Sequence, residues 1–589
     1  MALRRGIAAL VVAFVVLPVL VFVAAVVFLY VIATRGPSVP DRATLVIRPG
    51  GELLDIRPDD IVGQLVDRDV TTLRGLVESL RTARRDSRIA AVVLRPSTLE
   101  LPFWGKVQEL RDAVTDFRQS GKPVIAYLEY GGDREYYLAS AADQVFLLPT
   151  SPLDLTGIAS YEIFLRGALD KIGAYPDFLQ IGPYKTAANQ LTQRGFTAAH
   201  REMLESLNRD LYEQLVHGIA NTRRKSVEAV RALLDEGPFT PEAAQRAGLV
   251  DGLAYFDQLD DRIASLKAPA GEERVIEGSR YQRIGPLDAG VRPAARFAVL
   301  YASGIITSGR SAYDPVNGPV VGSDTLVEQI QRIREDESIR AIILRVDSPG
   351  GSSVASDVIW RELMITRDAS PSRPLIASMS DLAASGGYYI SMPAHAIVAQ
   401  PGTLTGSIGI YGGKMALGGT MERLGVGTGT VRSGRNADMN SPFAPFTPDQ
   451  RDKFMDYMKV FYDGFVQKAA VSRRTTAARI DAVAQGRVWT GQQAREHGLV
   501  DALGGLDTAV ALAKQRAGIP PDQDVELVVY PPRRTLYEAL TEQFQASSFS
   551  VWGQLAAGAE GRALGVLTAP VRLFRRGEPL ALMPYVFVR

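Results

Sequence analysis

Ser385 stands in Asp381-Leu-Ala-Ala-Ser-Gly-Gly-Tyr-Tyr-Ile390, a small hydroxyl residue ahead of two glycines and an apolar helical run. A serine hydroxyl attacks only when a base takes its proton and fixed donors meet the oxyanion that forms. Upstream, Ile342-Ile-Leu-Arg-Val-Asp-Ser-Pro-Gly-Gly351 is an apolar strand that stops at a glycine pair. Backbone N–H groups of Gly350 or Gly351 can approach an oxyanion closely because no side chain intervenes. Gly386, at a helix start, adds an N–H at the positive end of the helix dipole. Downstream, Leu404-Thr-Gly-Ser-Ile-Gly409 supplies Ser407, whose hydroxyl is placed to orient a base.

Candidate bases are few. The chain has no cysteine, which removes disulfides, thiol nucleophiles and thiolate metal sites. Its four histidines are His200, His217, His395 and His497, and no pair has His-x-x-x-His spacing, so no metal is expected. His395 falls ten residues past Ser385, on the far side of the predicted helix and just before a strand. His497 lies in a duplicated segment and reads as structural. Lysine is the alternative, but it acts as a base only when neutral. Its pKa must then fall from about 10.4 toward neutrality, and burial among apolar atoms does this.

An internal duplication directs attention to one lysine. Ala91-Val-Val-Leu-Arg95 matches Ala341-Ile-Ile-Leu-Arg345, and Tyr136-Tyr-Leu matches Tyr388-Tyr-Ile. Leu155-Thr-Gly157 matches Leu404-Thr-Gly406, and Gly248-Leu-Val-Asp251 matches Gly498-Leu-Val-Asp501. The offsets stay near 250 residues (345 − 95 = 250; 501 − 251 = 250). The first copy has Asp133 where the second has Ser385, and Arg134-Glu135 in place of the glycine pair. It carries instead Ile181-Gly-Pro-Tyr-Lys-Thr-Ala-Ala188, with no acid near Lys185, where the second copy has Asn436. One half keeps a serine and the other a lysine, the pattern of one composite site between two degenerate domains.

Strand–helix alternation in each copy positions these residues. In the second, Phe297–Tyr301, Ala341–Val346, Pro374–Ser378 and Ala396–Ala399 read as strands. Thr325–Arg334, Ser352–Arg367 and the run from Ser385 read as helices. Pro448–Arg473 and, at the matching place, Thr197–Thr222 read as long helices. Pro176–Ile181 is a strand leading into Lys185. The expected class is α/β with parallel pairing, divided into a lysine-bearing domain over 43–290, a serine-bearing domain over 296–520, and a tail over 521–589 of unclear structure.

No charged residue occurs from Gly6 to Ala33, a run long enough to cross a bilayer. An uncleaved N-terminal anchor over 1–35 is expected. Arg4 and Arg5 precede the apolar run, which favours the main body outside. A formal net charge of +1 and the lack of a basic stripe give no support to nucleic-acid binding.

Ser348–Gly351, Ala383–Tyr389, Leu404–Gly409 and Tyr184–Ala187 together resemble the signal peptide peptidase A family in its long, duplicated, membrane-anchored form. That resemblance implies two domains of the Clp protease/crotonase fold, with Ser385 as nucleophile and Lys185 as general base. It implies no cofactor, a homotetramer on the outer face of the cytoplasmic membrane, and cleaved signal peptides as substrates. Two rival readings keep the fold: a crotonase-like enzyme binding acyl-CoA, and a non-catalytic membrane-tethered scaffold.

Overall fold

The computed structural model describes residues 38–56, 72–259, 262–263, 274–284, 292–314, 318–531, 579–583 and 587–588. The anchor expected over Gly6 to Ala33 lies outside them. Among the described residues no helix is long and apolar enough to cross a membrane.

Short runs of Val, Ile, Leu and Ala form the strands, and near-complete burial on both faces makes them continuous apolar runs rather than alternating ones. The first half has a six-stranded parallel sheet in the order Val275–Glu277, Ala43–Ile47, Ile89–Leu94, Val124–Leu128, Gln144–Leu147, Gly252–Leu253. In the second half the order is Val525–Tyr530, Ala295–Ser303, Ile339–Ser348, Leu375–Ala384, Ala396–Ala399, Ala502–Leu503, again parallel. Each strand of one sheet has its counterpart in the other, at offsets such as 339 − 89 = 250 and 375 − 124 = 251. The chain is thus an α/β tandem duplication. Leu404–Gly406 and Val488–Thr490 extend the second sheet beyond the end of Leu375–Ala384.

The shared motifs hold equivalent positions. Tyr136 Oη donates to Leu249 O at 2.7 Å, and Tyr388 Oη to Leu499 O at 3.0 Å. Asp251 accepts the Val145 N–H and pairs with Arg223, while Asp501 accepts the Ile397 N–H and pairs with Arg473. The repeated Gly-Leu-Val-Asp therefore caps a strand in each half. Long helices over Ala198–Arg223 and Pro448–Ser472 start at Thr197 and Thr447, whose hydroxyls accept N–H groups of the first turn.

A third sheet joins the halves. Its order is Ala312–Asp314, Gly318–Gly322, Ile305–Thr307, Gly350–Ser352, Leu580–Leu582, Ile410–Ala416, Tyr175–Ile181. Tyr175–Ile181 of the first half runs antiparallel to Ile410–Ala416 of the second, from Tyr175 opposite Ala416 to Ile181 opposite Ile410.

Two features depart from the expected boundary at 520. Val525–Tyr530 completes the second sheet beside Ala295–Ser303, as Val275–Glu277 completes the first beside Ala43–Ile47. The repeat thus runs to 530. The first-half strand is only three residues long, too short to register as a sequence match. Leu580–Leu582 does not stand apart either, since it is a strand of the shared sheet.

Candidate active site

The register of the shared sheet decides what lies beside what. With Ile181 opposite Ile410, the chain leaving one strand runs past the chain entering the other. Gly182 to Lys185 therefore lie beside Ser407 to Gly409. Lys185 Nζ sits 2.7 Å from Ser385 Oγ, 2.9 Å from Ser407 O and 3.0 Å from Ser407 Oγ, all within this single chain. Lys185, Ser385 and Ser407 are each 0% exposed.

Burial alone holds the Lys185 amine well below the ordinary lysine value, and no carboxylate opposes it. A neutral amine has two N–H donors and one lone pair. Ser407 O and Oγ can accept the two donors, which leaves the lone pair for the Ser385 hydroxyl.

Ser385 itself is bent out of the regular backbone. It lies between the strand Leu375–Ala384 and the helix Gly386–Ser391, with φ 56° and ψ −112°. Non-glycine residues rarely adopt such a conformation, and it persists only where surrounding contacts enforce it. Here the Ser385 N–H donates to Gly406 O at 2.8 Å, and Ser385 O accepts from Tyr389 N at 2.8 Å. Ser407, with φ 49°, is held in the same way, its N–H donating to Arg487 O at 2.7 Å.

Gly350 and Gly351 lie against Ser385, with φ of 97° and 154°, which glycine tolerates. A Cβ on Gly350 would stand 2.5 Å from Gly386 N, and one on Gly386 would stand 3.1 Å from Gly351 N. The three glycines thus pack together at one point. They are not equivalent, because the Gly350 N–H already donates to Ser348 Oγ at 3.1 Å. Gly351 and Gly386 are the two whose N–H groups are not turned onto Ser348.

His395 and His497 lie elsewhere. The Leu375 N–H donates to His395 Nδ1 at 3.0 Å, at the opposite end of the strand from Ser385. His497 packs on Trp489 with ring centroids 4.1 Å apart. At the place of Ser385 in the first half, Asp133 accepts N–H groups of Thr156 and Gly157 at 3.1 and 2.9 Å. The degenerate position has become a loop anchor. Among the described residues no cluster of metal-binding side chains occurs.

One supporting residue escaped the sequence reading. Gly486, at φ 82°, presses on the lysine, and a Cβ there would lie 2.4 Å from Lys185 Cα. Its N–H donates to Ile408 O, and the neighbouring Gln485 O accepts from Tyr184 N. Its nearest counterpart in the first copy is Gly237 of Glu236-Gly-Pro-Phe-Thr240, one residue out of register, and a lone glycine gives no long-range signal.

Known proteins share this organisation. The model of peptidase family S49 matches twice, over residues 116–269 and 367–520. The chloroplastic serine protease SPPA of Arabidopsis thaliana is 34% identical, across 82% of this chain and 71% of that protein. Protease 4 of Salmonella typhi is 34% identical across 76% of this chain and 72% of its own. Protease 4 of Haemophilus influenzae is 28% identical across 82% and 80%. A doubled peptidase domain and relatives spanning most of the chain have one reading: the chain belongs to peptidase family S49, in its long duplicated form, and is a serine peptidase.

Proposed function

We propose that the chain is a membrane-anchored endopeptidase that uses Ser385 and Lys185 as a catalytic dyad and degrades cleaved signal peptides in the bilayer. The observation that carries the dyad is the 2.7 Å contact between a fully buried lysine amine and the Ser385 hydroxyl. Lys185 takes the proton as Ser385 Oγ attacks the peptide carbonyl. Gly351 and Gly386 N–H groups meet the resulting oxyanion. Lys185 then returns the proton to the departing amine, leaving an acyl-enzyme. A water gives its proton to Lys185 and attacks the ester, and Lys185 passes that proton to Ser385 Oγ as the second product leaves.

The apolar run from Gly6 to Ala33 supports an anchor, and Arg4 and Arg5 support an N-terminus inside with the peptidase body on the periplasmic face of the inner membrane. Such a placement brings the site to apolar peptides left in the membrane. Assembly as a homotetramer belongs to the same reading. Membership of a serine peptidase family sets the acyl-CoA and scaffold readings aside.

Hydrolysis of an apolar reporter peptide by wild type, Lys185→Ala, Ser385→Ala and His395→Ala tests the dyad. Loss in the first two variants with retention in the third is expected. An inactive His395→Ala beside an active Lys185→Ala would refute it.

A further inference from the structure

The tail strand lies across the front of the site. Leu580, Ala581 and Leu582 pair antiparallel with Ser352, Gly351 and Gly350, the strand that carries the glycine cradle. On the other side, Leu580 is opposite Tyr411 of Ile410–Ala416. The Met583 N–H donates to Pro349 O at 2.8 Å. An antiparallel ladder alternates, so Gly351–Ala581 is the next hydrogen-bonded pair after Pro349–Met583. The Ala581 carbonyl accordingly faces the Gly351 N–H. A Cβ on Gly350 would stand 2.0 Å from Ala581 O and 2.5 Å from Gly386 N, so that carbonyl and the Gly386 N–H crowd the same point.

The side chains are seated as firmly as the backbone. Leu580 and Leu582 share one face and pack with Ala188, Tyr411, Phe178 and Ala187, and both leucines are 2% exposed or less. Ala188 follows the lysine by three residues. Met583 packs in the cluster that contains Leu382 and Ala384, next to Ser385. An extended segment with a carbonyl at the cradle and apolar side chains in flanking pockets is bound as a peptide substrate would be.

We propose that residues 579–583 are the resident occupant of the peptide-binding slot, an autoinhibitory strand that an incoming apolar peptide must displace. This rests on the reading of Ser385 as the nucleophile only for its effect on turnover, since the slot itself is defined by strand pairing. Covalent attachment gives the strand an effective concentration of about 1 mM. A free peptide of the same sequence that binds at about 0.1 mM would then meet roughly tenfold competition from the tether.

The test uses the full chain. In a Ser385→Ala background, a fluorescein-labelled peptide Pro-Leu-Ala-Leu-Met is titrated with and without Leu580→Asp plus Leu582→Asp. The double variant is expected to bind the peptide about tenfold more tightly. With Ser385 restored, the double variant should lower KM for an apolar reporter about tenfold and leave kcat unchanged. As a measurement free of tail substitutions, saturating unlabelled peptide should speed amide exchange across 579–583 of the Ser385→Ala chain. Equal peptide affinity in both chains, or unchanged exchange at 579–583, overturns the proposal. Tighter peptide binding by the double variant with no hydrolysis by any chain leaves the slot standing and refutes the proposed peptidase dyad.

Discussion

Lys185 is useful because it is costly. Its amine is enclosed without a counter-charge, so the neutral form prevails at a pH where an exposed lysine is charged. Activity therefore rises with pH through the depressed lysine value and then levels, with the limb lying well below the ordinary lysine range. A kcat/KM profile that rose only near pH 10 would count against it. Stability follows the same linkage. Between the folded and the unfolded lysine values the unfolded chain binds the extra proton, so stability increases with pH across that window. Lys185→Met, which removes the buried amine, is expected to stabilise the chain at neutral pH by about 1 kcal/mol while abolishing hydrolysis. Thermal unfolding of the two chains at pH 7 checks this. Ser407→Ala deletes one of the three contacts on Nζ and keeps the backbone carbonyl. Loss of one such hydrogen bond, about 1.4 kcal/mol, should lower kcat about tenfold. A kcat equal to wild type would show that Ser407 Oγ does not orient the amine.

The strands and loops around the proposed dyad act through close backbone approach. Gly486 is the clearest case, with its would-be Cβ inside the van der Waals shell of the Lys185 backbone. Gly486→Ala must either unbend a φ of 82° or push the lysine away from Ser385. We expect a loss of about 1–3 kcal/mol in stability, from strain at this φ, and a fall in kcat larger than that of Ser407→Ala. Equilibrium unfolding and reporter hydrolysis measured on one preparation separate the two effects. Full activity in a folded Gly486→Ala chain would show that the loop does not set the lysine position. The pairing of Tyr175–Ile181 with Ile410–Ala416 is the larger version of the same device, a sheet register that fixes which loops meet.

Across the whole molecule the halves are locked by a buried charge cluster. Arg345 of the second half bridges Asp55 and Glu109 of the first at 2.9 and 2.7 Å, and also donates to Ser378 and Ser380 on the strand that ends at Ser385. Nearby, Lys106 Nζ pairs with Asp347 at 2.8 Å, and the Lys106 N–H donates to Asp381 at 2.7 Å. Removing one partner from a buried ion pair strands the others without water. Arg345→Met should therefore cost about 3–5 kcal/mol, read as a lower midpoint in urea unfolding. An unchanged midpoint would mean that Asp55 and Glu109 are satisfied without the arginine. Arg95, the repeat counterpart of Arg345, pairs with Glu129, which is half exposed, and lies over the Phe256 ring, 4.2 Å from its centroid.

Local pattern carried much of this protein. The helices over Ala198–Arg223 and Pro448–Ser472 and the strand Ala396–Ala399 fall where apolar periodicity and capping place them. Comparing the two copies singled out Ser385 and Lys185, because a site split between degenerate halves leaves its residues unmatched. The sequence could not say that these residues touch. Their contact spans 200 positions and depends on an antiparallel register between strands of different halves. Identical local strings likewise take different fates, as Arg95 of one Leu-Arg pair stays partly exposed while Arg345 of the other is sealed between domains. The tail strand was illegible for a similar reason. Leu580-Ala-Leu582 is three residues with no periodicity of its own, and only the unpaired edges of Gly350–Ser352 and Ile410–Ala416 make it a strand. Backbone hydrogen bonds of a β-ladder are satisfied between segments rather than within one, so where such a segment goes is a property of the folded molecule.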